Sequence, residues 1–74
     1  MQITQTDTVG ERVRREMALA RVTQQVVARH LNLSQSAVSA RLTGVTEFNV
    51  SELQAVAALL GVPAASLLPA EVAA

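Results

Sequence analysis

Apolar residues recur along this chain at helical spacing, and each recurrence is bracketed by residues that start or stop helices. Val9, Val13, Met17 and Ala20 fall at i, i+4, i+8 and i+11, with Glu11, Arg12, Arg15 and Glu16 on the other side, which predicts a helix from Val9 to about Ala20. Asp7 or Thr8 is placed to cap it, and Glu11 with Arg15 makes an i, i+4 pair in the favourable order. Val27, Ala28 and Leu31 mark a second helix opening at Gln24 behind a Thr23 cap, with Val22 set as a hydrophobic staple against Val27. Val38 and Leu42, at i and i+4, mark a third, opening at Gln35 behind Ser34. Between these two, Asn32 is well suited to the left-handed conformation that ends a helix, so the turn is short and sharp.

After Gly44 the segment Val45-Thr46-Glu47-Phe48 has no period, and Phe48 reads as a core plug anchoring a polar loop. Asn49 and Glu52 form an Asn version of the capping box for a fourth helix, whose Leu53, Val56, Ala57 and Leu60 fall at i, i+3, i+4 and i+7. Gly61 stops it, and Pro63 opens a short fifth helix, Ala64 to Leu68, ended by Pro69. The expected fold is all-α: a compact bundle of five short helices at residues 9–68, with a flexible arm at 1–8 and a frayed tail at 69–74.

The second and third helices, each of roughly eight residues and joined by a three- or four-residue turn, have the helix-turn-helix arrangement. Their apolar faces pack on each other, and Ala28 lies where two steeply crossing helices leave little room. The other face of the third helix carries Gln35, Ser36, Ser39 and Ala40, which no core requires.

Composition narrows the function more than the fold. One domain of 74 residues is small for a core, yet half the residues are hydrophobic and Phe48 is the only aromatic, which favours close-packed helices. With no Cys and a single His, disulfide frameworks, thiolate metal sites and histidine clusters are excluded, and His30 reads as an exposed helix residue. The carboxylates are scattered and no Gly-rich phosphate loop is present, so no enzyme, cofactor, metal or small-molecule ligand is expected. No apolar run approaches a membrane span and MQITQTDT lacks the features of a signal peptide, which predicts a cytoplasmic protein. The formal net charge is zero, but charge is segregated: no Asp or Glu occurs between Glu16 and Glu47, whereas Arg21, Arg29 and Arg41 do.

The string TQQVVARHLNLSQSAVSARLTG, residues 23–44, resembles the helix-turn-helix of the lambda repressor and Cro-like DNA-binding domains. Gln24 at the start of the first helix, Ala28 within it and the S-Q-S-A-V-S opening of the second carry the resemblance, which extends over roughly Val9 to Leu68. Asn32 stands where the family usually has Gly, Arg41 where it usually has an apolar residue, and the chain has no Lys. The resemblance implies a five-helix domain that binds a double-stranded DNA operator, with the second helix of the motif (about 35–42) in the major groove and its N-terminal residues against base edges. Gln35 is the leading base reader, because its amide donates and accepts at once and so matches adenine N6 and N7. Ser36 and Ser39, one turn apart, are the other candidate base contacts. Gln24, which in the family bonds a phosphate and steadies the recognition-helix Gln, is a candidate backbone contact, as are Thr43, Thr46 and Asn49. Arg41 is a further candidate phosphate contact, and position 41 leaves open whether its stem lies over the core while its head reaches out.

The implied role is repression or switching at phage or bacterial promoters, by a stand-alone Cro or immunity-repressor type of regulator. A competing class is a protein-interaction or antitoxin-type module of the same fold with weak DNA binding or none, which the low net charge favours. Val62, Leu67, Leu68 and Val72 supply more apolar surface than one short helix needs. They point to a weak homodimer through the C-terminal segment, with at least one of Leu67 and Leu68 packing back on the first or fourth helix.

Overall fold

The computed structural model describes residues 8–69, so most of the arm and tail, Val72 included, lies outside the described residues. Four α-helices follow in order, α1 (Val9–Ala20), α2 (Gln24–Leu31), α3 (Gln35–Thr43) and α4 (Val50–Leu60), then a 3-10 turn at Ala64–Leu67. The all-α class is as expected. The fifth element, however, is a single 3-10 turn and not an α-helix. Its amides bond three residues back, Ser66 to the Pro63 carbonyl at 3.0 Å and Leu68 to that of Ala65 at 3.2 Å. Proline at either end explains this. Pro63 begins the turn, and Pro69 forces Leu68 into the extended conformation it adopts (φ −92°, ψ 144°), leaving too few residues for an α-helical ladder.

Local chemistry sets the helix ends. Thr8, Thr23, Ser34 and Asn49 each accept from the amide three residues on, at 3.1, 3.2, 3.0 and 2.7 Å. Asn49 adds the return bond of a capping box, its N–H donating to Glu52 Oε1 at 3.1 Å. All four helices end on a left-handed residue, Arg21, Asn32, Gly44 and Gly61, and the amide after each reaches back to the carbonyl of Met17, Ala28, Ala40 and Ala57. Asn32 was expected to do this; Arg21, a long side chain at φ 58°, was not. The residue after the cap packs on the core in three cases, Val22, Leu33 and Val62, whereas Val45 is 81% exposed. On α1, Glu11 pairs with Arg14 at i+3 and not with Arg15.

Every helix sends side chains to one core: Val13 and Met17, Val27 and Ala28, Val38 and Leu42, Val56 and Ala57. Leu67 from the 3-10 turn completes it, and Leu67, Val13, Val27, Val38 and Val56 are sealed from solvent. Small and β-branched side chains dominate this core, so the helices lie close together, and Phe48 packs at its margin, only half-buried. Each sealed valine or leucine of this core contributes roughly 1.5–3 kcal/mol.

α1 and α3 approach at backbone distance. Gly10 is buried, and a Cβ built on it would stand 2.4 Å from the Leu42 carbonyl oxygen and 3.2 Å from that of Arg41. Backbone meets backbone there, so no side chain fits. The start of α1 thereby fixes where the last turn of α3 can lie.

Candidate nucleic-acid interface

The candidate interface is built on α3. Val38 and Leu42 bury one side of this helix, and Ser34 caps its first turn, which contains no acidic residue. A capped N-terminus free of carboxylates suits an approaching phosphate or base edge, since the helix dipole favours negative charge there. Gln35 and Ser36 are exposed on this first turn, and neither side chain has an intramolecular hydrogen bond. Ser39, a turn further on, is half-buried, as is Gln24 at the opening of α2. Their side chains have no intramolecular partner either.

The other end of α3 is quite different. Thr43, Thr46 and Asn49 come together along one groove of about 480 Å³, with Arg41 in its wall and Phe48 and Leu68 at its sides. Thr43 donates its hydroxyl proton to the carbonyls of Ser39 and Ala40, at 3.1 and 3.3 Å, so its oxygen is left as an acceptor. Thr46 is exposed and tied down by its backbone, its N–H donating to the Ala40 carbonyl at 3.2 Å. Asn49 accepts at Oδ1 from Glu52 N, which leaves its side-chain NH₂ free to donate outward.

Arg41 does not stand as expected. Its Nε donates to Glu52 Oε1 at 2.9 Å, one terminal nitrogen to Glu52 Oε2 at 3.2 Å, and the other to the Ala37 carbonyl at 3.0 Å. Both side chains of this fork-to-carboxylate pair are largely buried, with 16% of each exposed. Its bonds to Arg41, with the Asn49 backbone N–H acting the same way, hold the Glu52 carboxyl below the usual carboxylate range; the Glu52 partnership raises Arg41 in turn. Sequence reasoning missed Glu52 as its partner. One signal was available: position 41 is three residues on from Val38, at the edge of the inward stripe, where an arginine needs an acid.

Of the expected partner surface, Leu67 is a sealed core residue and offers nothing outward, while Leu68 is half-buried beside the groove. The most exposed large apolar side chains among the described residues are Val45, Leu19 and Val50, at 81%, 74% and 73%. Exposed Arg21 and Arg29, with no acid between Glu16 and Glu47, give the helix-turn-helix side of the molecule its positive bias.

Two short helices in tight succession, the second with Gln35 and Ser36 side chains on its first turn that make no internal bond, define a helix-turn-helix domain. A family model described as Helix-turn-helix matches residues 13–67, and the chain belongs to that family, the lambda repressor/Cro-like helix-turn-helix domains. It is a DNA-binding domain of the regulator class, not one of an enzyme family. No curated protein and no solved structure matches the chain. No helix among the described residues is long and apolar enough to cross a membrane.

Proposed function

We propose that this chain is a sequence-specific regulator of the Cro or immunity-repressor type, which acts in the cytoplasm and reads a double-stranded operator with α3 in the major groove. The observation that carries this reading is the first turn of α3: Gln35 and Ser36 are exposed and unbonded on a helix whose opposite side is sealed into the core. Polar groups free of internal partners are available to base edges, and Gln35 has the donor and acceptor that adenine presents in the major groove. Ser36 and the half-buried Ser39 complete the base-reading set. Gln24, Thr46 and Asn49 position the domain on the phosphates, and Thr43 contributes through its rotatable hydroxyl. Two copies on half-sites one helical turn apart would supply operator affinity, with pairing completed on DNA.

Selection on random duplexes followed by a substitution tests this. Gln35→Ala lowers affinity for the selected site by about 1–3 kcal/mol and leaves random DNA binding unchanged. Equal losses on both would remove Gln35 from base reading. A protein-docking module is the second reading, favoured by zero net charge and by exposed Val45 and Val50. Salt separates the two, because only a DNA binder shows the logarithm of its DNA affinity falling linearly with log salt as counterions are released.

A further inference from the structure

We propose that Arg41 and Glu52 are the positioning pair of this interface: they pin the last turn of α3 to the start of α4 and set where Thr46 and Asn49 stand, and Arg41 contacts no phosphate itself. The proposal rests on the reading that α3 docks on DNA, and it assigns a different job to the arginine nearest the loop.

The geometry supports it in three ways. First, the guanidinium is engaged at all three nitrogens, two bonds to Glu52 and one to the Ala37 carbonyl of its own helix. Swinging the head outward would break all three and leave a largely buried carboxylate without its counter-charge, a costly state. Second, Glu52 Oε1 accepts from Arg41 Nε and also from the Asn49 backbone N–H, while the Glu52 N–H donates to Asn49 Oδ1. The ion pair and the α4 cap are therefore one network, and the residue offering its free NH₂ to a phosphate is a member of it. Third, the pair closes the base of the segment between positions 41 and 52, which holds Thr43, Thr46 and Asn49. Further ties on that segment are the amides of Val45 and Thr46 on the Ala40 carbonyl, the Thr43 hydroxyl on its own helix and Phe48 at the core margin. Loop donors held in place before binding lose less conformational freedom on the DNA.

The two roles for Arg41 predict opposite signs in one experiment. If Arg41 were a phosphate ligand restrained by Glu52, Glu52→Gln would free it, remove a negative charge and raise DNA affinity. A positioning pair predicts the reverse. Glu52→Gln, which keeps the capping box, and Arg41→Gln each weaken binding to selected and random duplexes alike, by roughly three- to tenfold, the scale of ordering one or two loop side chains. The salt slope stays unchanged, whereas losing a direct phosphate contact reduces it by about 0.9. Amide hydrogen exchange on the free protein supplies a readout that needs no DNA: in both variants the amides of Val45, Thr46 and Asn49 exchange several-fold faster, and those of α1 do not change. Should either Gln variant fail to fold, Arg41→Lys keeps the charge and loses the fork, with the same faster exchange and weaker binding expected. Higher affinity in Glu52→Gln, a reduced slope in Arg41→Gln, or unchanged loop exchange would each overturn the proposal. A wild type that binds no duplex while the variants loosen the loop would overturn the DNA reading and leave the pair as a clamp on the α3–α4 junction.

Discussion

The two ends of α3 are built on opposite terms. At its first turn, beyond the Ser34 cap, the side chains of Gln35 and Ser36 do nothing for the fold. At its last turn almost every group is engaged: Arg41 with Glu52, Thr43 with its own helix, Leu42 in the core and against Gly10, and the following amides back on Ala40. A surface that must read different sequences needs groups whose replacement leaves the scaffold intact. A frame that must hold that surface at a fixed angle needs the reverse. On the proposed reading, the helix separates the two duties along its length.

The sharpest way to break this contrast is at the frame. Gly10→Ala places a methyl against two backbone carbonyls that cannot move independently, and about 3 kcal/mol or more of stability is expected to be lost, at the upper end of overpacking costs. Chemical denaturation measures it; a loss below about 1 kcal/mol would show that α1 shifts freely off α3. Next comes Ala28→Val on α2, where the residue is 6% exposed in the core; if it lies at a tight helix crossing, the expected loss is about 1–3 kcal/mol, against less than about 0.7 from helix propensity alone. Thermal melts distinguish the two ranges.

These positions also show how far the fold was legible. Caps and stops are local, so Thr8, Thr23, Ser34, Asn32, Asn49 and Gly61 announced their helix ends within a few residues. Gly10 announced nothing. A glycine in a first turn reads as a weak helix former, and the reason for it is a carbonyl 32 positions away at Leu42. Arg41 and Glu52 are separated by a loop with no period, so their pairing is equally hidden, although the capping box had already placed Glu52 at the start of α4. The base-reading candidates, by contrast, came from the same local pattern as the caps. Leu67 lay between: surplus apolar residues were visible, but which of them turned inward depended on two prolines shortening the last element.

Smaller effects sharpen the comparison. Asn49→Ala removes the cap acceptor of α4 and is expected to cost about 0.5–2 kcal/mol, read as a lower melting temperature. Acid acts on the same corner. Because Glu52 is held below its ordinary value of 4.5 when folded, its contribution is complete above that pH and is lost as pH falls through the depressed value. The stability difference between wild type and Glu52→Gln is therefore expected to shrink on going from pH 7 toward pH 3, in melts recorded across that range. Smallest of all, Gln35→Ala at the free end is expected to change stability by no more than about 0.5 kcal/mol, whatever it does to DNA binding. A larger loss would mean that the first turn of α3 also serves the frame.

The sealing of Leu67 has a consequence for how the molecule is made. The 3-10 turn that carries it packs on α1 as well as on α4, and the Arg12 guanidinium reaches the Ser66 carbonyl across 54 positions of sequence. A nascent chain emerging from the ribosome therefore leaves part of the apolar stripe of its first helix uncovered until Leu67 appears, even with α3 and α4 already in place. The plug that closes over that stripe leaves the exit tunnel after everything else in the core.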